Sequence, residues 1–125
     1  MSDAAAIDRE RYVSLATYRR DGREVATPVW IAGVDGLLYV VSFGEAGKVK
    51  RVRSTPRVRV APCDARGAVT GAWQEAVARI VTDERTIERA RAALREKYGW
   101  QFALLSFGSW LTGRSKRRAW IEVAL

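Results

Sequence analysis

The chain has 125 residues, 48% hydrophobic and 29% charged, which suits one folded domain over residues 1–125 and excludes a disordered tail. Lysine and arginine number 22 against 14 acids, and the net charge of +8 favours an anionic partner without choosing among nucleic acid, a phosphorylated cofactor and a membrane surface. With no histidine and one cysteine, Cys63, the usual histidine triads, histidine-ligated zinc or haem and an internal disulfide all drop out together. An enzyme of this composition points to a bound organic cofactor for its chemistry. No apolar run approaches the ~20 residues that cross a bilayer. The opening Met1-Ser-Asp-Ala-Ala-Ala-Ile-Asp8 carries acids where a signal peptide carries bases, so a cytoplasmic protein is expected.

In chain order, residues 1–10 read as a short helix or an arm. Tyr12 to Tyr18 mixes β-branched, aromatic and small residues, as a strand does. Arg20-Asp21-Gly22-Arg23 is a tight-turn signal, and Glu24 to Ala32 follows as a second strand. One face of that strand holds Val25, Thr27, Val29 and Ile31, and the other holds Ala26, Pro28, Trp30 and Ala32. Pro28 cannot donate to a ladder, so the strand is an edge or is bulged there. Val34-Asp35-Gly36 turns into a third, nearly continuous apolar strand, Leu37 to Ser42.

The stretch Gly47 to Asp64 carries six basic residues and no acid before its last position. Its first half reads as a cationic helical turn over Lys48 to Ser54, stopped by Pro56. Its second half alternates as a strand from Val58 to Pro62. A glycine, a basic turn and a strand in that order suit a phosphorylated ligand held against a sheet. Ala72 to Val81 is a fifth strand. Thr82 to Tyr98 is a helix, with Ile87, Ala90, Leu94 and Tyr98 on one face, Thr82 or Asp83 as its cap and Gly99 at its end. Trp100 to Leu111 is either a short helix or an ordered loop, Arg114 to Arg118 a basic link, and Ala119 to Leu125 a sixth strand. Six antiparallel strands in so short a chain favour a barrel, which has no open edge.

The order of these segments resembles the pyridoxamine 5′-phosphate oxidase-like superfamily, and more narrowly its F420-dependent oxidoreductases. The resemblance rests on Tyr12-Val-Ser-Leu-Ala-Thr, Arg20-Asp-Gly-Arg, Ala26-Thr-Pro-Val-Trp-Ile, Leu38-Tyr-Val-Val-Ser, Gly47-Lys-Val-Lys-Arg-Val-Arg, Pro56-Arg-Val-Arg-Val-Ala-Pro-Cys-Asp and Lys97-Tyr-Gly-Trp-Gln. It spans roughly Arg9 to Leu125. It implies a mainly β fold, a six-stranded antiparallel split β-barrel of the FMN-binding kind with one long helix and short helices. It also implies a homodimer with cofactor sites between subunits. Thr27, Pro28, Val29 and Trp30 would lie beside a flavin or deazaflavin ring. Ser42 and Lys48 would hold a phosphate, with Lys50 and Arg51 as neighbours, and Pro62, Cys63 and Asp64 would lie near the ring or its ribityl chain. The contacts that recognise pyridoxal phosphate have no counterpart here, so vitamin B6 oxidation is not expected.

Each of these residues has a plainer reading. Lys48, Lys50 and Arg51 also suit a solvated basic face, and Pro28 an ordinary edge strand. Arg53, Arg57 and Arg59 either grip an anionic tail or face water. Trp30 and Trp73 suit core or interface packing. Trp100, Phe102, Phe107 and Trp110 suit packing, a subunit interface or a pocket wall. Cys63 suits a buried apolar site, and none of the four tyrosines is singled out as a proton donor. The leading expectation is an oxidoreductase in which coenzyme F420 passes hydride to a conjugated or apolar acceptor. FMN in the same site is the alternative, as is a non-catalytic carrier of either cofactor. A nucleic-acid-binding barrel is the distant one, since no aromatic-plus-basic strand platform is visible.

Overall fold

The computed structural model describes residues 3–42, 47–102 and 118–125. Its elements are α1 (Asp3–Asp8), β1 (Val13–Tyr18), β2 (Glu24–Val29), β3 (Ile31–Val34), β4 (Leu37–Ser42), α2 (Gly47–Ser54), β5 (Arg57–Pro62), β6 (Gln74–Val81), α3 (Glu84–Tyr98) and β7 (Ala119–Ala124). The strands form one antiparallel sheet in the order β2-β1-β5-β6-β7-β4-β3. There are seven of them, not the expected six, because the run Glu24–Ala32 breaks at Trp30.

The break is a change of partner. β2 pairs with β1, Val29 opposite Val13, whereas β3 pairs with β4, Ile31 opposite Val40. Val29 and Ile31 nevertheless belong to the same interior apolar cluster, so the inward–outward alternation runs straight through Trp30. Two strands at opposite edges of the sheet order are thus separated by one residue. A flat sheet of seven strands spaced ~4.8 Å apart would hold its edges about 29 Å from each other. The sheet therefore curls, and its edge strand β2 approaches β4 across the seam.

Curling creates two cores. Inside lie Val13, Leu15, Leu38, Val40, Val58, Val60, Ile121 and Val123, with Ile7 of α1 and Val52 of α2 added to them. Outside, α3 lays Ala90, Leu94 and Tyr98 over Tyr39, Val41, Val81 and Trp120. The near-continuous apolar character of β4 follows directly, since Leu38 and Val40 serve one core while Tyr39 and Val41 serve the other.

Local signals behave as expected at several ends. Asp83 caps α3 by accepting from the Thr86 N–H at 2.9 Å, and the Gly99 N–H closes the helix on the Arg95 carbonyl at 2.8 Å. Asp35 and Gly36 have φ of 51° and 84°, the left-handed pair that a two-residue hairpin needs. No helix among the described residues is long and apolar enough to cross a membrane. Phe107 and Trp110, and with them most of the segment 100–111, lie outside the described residues. Of the other two aromatics in that segment, Phe102 is buried in the outer core and Trp100 is 72% exposed, so they do not share one environment.

Candidate functional site

The expected site residues separate into groups along β1. At its Val13 end, Val13 pairs with Val29 on one side and with Pro62 on the other. Thr27, Pro28, Val29, Pro62 and Cys63 are thereby gathered at one end of the barrel wall. The turn after β5 folds back onto the edge strand, because a Cβ on Gly67 would sit 3.6 Å from the Pro28 ring. Pro28 is exposed on β2, whose ladder partner is β1 alone, so it occupies a true sheet edge.

Within this end the side chains have different commitments. The Asp64 carboxylate accepts from the N–H groups of Arg66 and Ala68, each at 2.9 Å, and so builds its own turn. Cys63 is buried, and burial followed by the neighbouring Asp64 charge pushes its thiol up, away from the reactive thiolate. Thr27 lies on the interior-facing side of β2 opposite Leu15, and its hydroxyl is buried without a hydrogen-bond partner among the described residues.

Trp30, at the seam, is held from outside. Its ring stacks on Tyr98 at 4.5 Å and 7°. The Tyr98 hydroxyl accepts from the Ile31 N–H at 3.1 Å and donates to the Arg11 carbonyl at 2.9 Å. The Lys97 ammonium donates to the carbonyls of Glu10 at 2.7 Å and Ile31 at 2.6 Å. Desolvation pulls its affinity for the proton below the usual lysine range, against the raising charge of Asp8 at 3.7 Å. Backbone groups orphaned where the strand changes partner are thus satisfied by the last turn of α3.

Ser42 ends β4 opposite Ala119, buried, and its hydroxyl also has no partner among the described residues. Lys48 opens α2 half-buried. Desolvation, then repulsion from Arg51, lowers its proton affinity, and no acid among the described residues pairs with it. Lys50 and Arg51, with Gly47 beside Lys48, line a cavity of about 760 Å³ between α2 and the turn that joins β1 to β2, at the Tyr18 end of β1. No cluster of acids and cysteine that could hold a metal occurs among the described residues.

No family model matches the chain, and no curated protein does. Solved structures do. The heme storage protein HutZ from Vibrio cholerae matches over 93% of this chain and 82% of its own, at 16% identity and a TM-score of 0.72. A Listeria innocua protein assigned as a pyridoxamine 5′-phosphate oxidase matches over 96% and 87%, at 20% identity and a TM-score of 0.63. An F420 reductase matches over 99% and 93%, at 18% identity and a TM-score of 0.61. At such identities the likeness is one of fold. The chain has the curled antiparallel architecture of these proteins, and their different chemistries show that the architecture alone selects none of them.

The sequence reading missed Arg19 and Arg20. Arg20-Asp21-Gly22-Arg23 is legible as a turn, and the turn forms, with the Arg19 N–H on the Arg23 carbonyl at 2.8 Å. Its charge was visible in the same letters. What the letters do not show is that α2 brings three more cations to face it.

Proposed function

We propose that the protein is an oxidoreductase that binds a deazaflavin, coenzyme F420, against β2, and that it works as a homodimer with the second subunit completing each site. The observation that carries this reading is the pair of orphaned hydroxyls. Burying a hydroxyl without a partner costs on the order of 1–3 kcal/mol. Thr27 and Ser42, on strands that approach each other at the seam, both bear such hydroxyls, and both were expected from the family resemblance to line a cofactor. The fold shared with an F420 reductase supports the same reading.

The bound cofactor supplies hydride chemistry that no side chain here offers. The chain's own part is positional. The open edge of β2, interrupted at Pro28, presents backbone groups to a ring edge, and Thr27 offers one hydroxyl beside it. Ser42 and Lys48 hold a phosphate, where partial burial of the ammonium strengthens its hold on an anion. The α3 clamp on Trp30 fixes the strand end against which the ring and a small conjugated or apolar acceptor are oriented. FMN in the same place is the alternative cofactor, and storage without turnover the alternative role, the latter supported by the heme storage protein on this fold.

Titration of the purified protein with coenzyme F420 and FMN tests the reading. Micromolar binding of F420, weakened at least roughly tenfold in Lys48→Ala and in Ser42→Ala, is expected for lost charge-assisted contacts. Binding of neither cofactor would sink the proposal. Turnover of a panel of conjugated acceptors separates the enzyme from the carrier.

A further inference from the structure

The cavity between α2 and the β1–β2 turn has a charge the rest of the surface does not balance. Arg19 and Arg20 line it from the turn, and Lys50, Arg51 and Arg53 line it from the helix. Its one acid, Asp21, is already taken by Arg23 at 2.8 Å. No ion pair among the described residues engages any of the other five cations. The cavity is an open cleft of about 760 Å³, wide enough for a small polyanion.

One of the five is built in place. Arg51 Nε donates to Thr17 Oγ1 at 2.6 Å, which fixes the guanidinium plane. Its terminal nitrogen lies 3.1 Å from where a Cβ on Gly47 would stand, so the missing side chain of Gly47 leaves the room it occupies. Arg19 is near enough to add to the desolvation that lowers the proton affinity of Arg51. Arg51 is thus held beside a like charge, a repulsion that a bound anion would relieve.

The location also separates this cavity from the strand end already discussed. Tyr18 and Glu24 pair beside it, whereas Val13 and Val29 pair at the other end of the same ladder. Five residue steps of strand separate them, about 17 Å at 3.4 Å each. Arginine forks match phosphate oxygens in two-point contacts, and a phosphate chain packs several charges into a small volume, as five crowded cations require.

We propose that this cavity binds a multiply charged oligophosphate, about 17 Å along β1 from Thr27–Val29 and joined to Lys48 only through Gly47 and Arg51 of α2. Calorimetric titration with inorganic triphosphate tests it on the whole protein. Saturable binding is expected, at least about tenfold tighter than that of citrate, a carboxylate polyanion. Arg19→Ala and Arg20→Ala, both at an exposed turn, each weaken it several-fold. Arg51→Ala weakens it more, and Arg85→Ala on α3 leaves it unchanged. Absence of saturable binding, equal binding of citrate, or equal losses in Arg85→Ala and Arg19→Ala would each overturn the proposal. So would displacement of triphosphate by FMN or F420, which would assign the cavity to the cofactor. Failure of those cofactors to bind bears on the preceding proposal alone, because triphosphate binding is read without them.

Discussion

The two ends of the β1–β2 ladder treat polar groups in opposite ways. At the Val29 end, the backbone groups freed where β2 gives way to β3 are consumed by Lys97 and Tyr98. At the Tyr18 end, cations converge with no acid left to meet them. The first arrangement closes a seam and makes it rigid, so its contribution is to stability. The second leaves Arg51 facing a like charge in a cleft open to solvent, which a bound anion would offset. A buried polar group that is satisfied reports on folding, and one that is not reports on a partner.

The largest expected effect lies at the satisfied end. Tyr98→Ala removes a buried ring stacked on Trp30 together with the bonds its hydroxyl makes, and should cost about 3–5 kcal/mol in urea unfolding. Tyr98→Phe keeps the ring and strands the Ile31 N–H, for about 1–3 kcal/mol. A pH series sharpens this. Burial, the main cause, pushes the Tyr98 phenol up from 10.0 to about 12. Its neutral form is favoured in the fold, so its contribution is complete below pH 10 and is lost as pH rises from 10 to about 12. Stability of the parent should fall across that window more steeply than that of Tyr98→Phe. Tyr39, also held at about 12, titrates in both proteins and cancels. A Tyr98→Phe protein as stable as the parent, with the same slope, would show that the clamp is ornamental.

Between the two ends stand the orphaned hydroxyls, which test the contrast at intermediate size. Without ligand, Ser42→Ala and Thr27→Val each remove an unsatisfied buried oxygen, so stability should be unchanged or rise by up to ~1 kcal/mol. With cofactor present the same substitutions should lower the melting temperature relative to the equally loaded parent. Destabilisation of both variants in the absence of ligand would mean the hydroxyls have structural partners, and the case for a site at the seam would fail.

Much of this was legible in the letters. Alternation along Glu24–Ala32 assigned Val29 and Ile31 to one face correctly, and the two Asp-Gly turns and the α3 caps follow from residue chemistry. The break at Trp30 was not legible, because alternation persists through it and only the hydrogen-bond partner changes. Partner choice is a non-local property that periodicity does not encode. The same limit explains the basic run 48–53: its composition announced an anion site, but helical geometry sends Lys50 and Arg51 toward the β1–β2 turn while Lys48 lies outside that cavity. Asp64 illustrates the converse, since its position after a strand suits a ligand contact and equally a turn, and the turn has engaged its carboxylate.

The smallest effect, and the most direct reading of the unbalanced end, concerns Arg19. Removing a surface side chain normally changes stability by no more than about 0.5 kcal/mol, usually for the worse. Here the sign should be reversed. Arg19→Ala takes a like charge away from Arg51, whose hydrogen bond to Thr17 keeps it from swinging clear. The variant should be as stable as the parent or slightly more so. Because exposed charges are screened beyond ~10 Å at ordinary salt, any gain should shrink as salt is added. Arg59 supplies the opposite sign. It donates to Glu24 at 2.6 Å and lies over the Trp73 ring at 4.7 Å, so Arg59→Ala should lose stability. If both substitutions cost stability alike, Arg19 has an unrecognised acidic partner, and the imbalance on which the contrast rests does not exist.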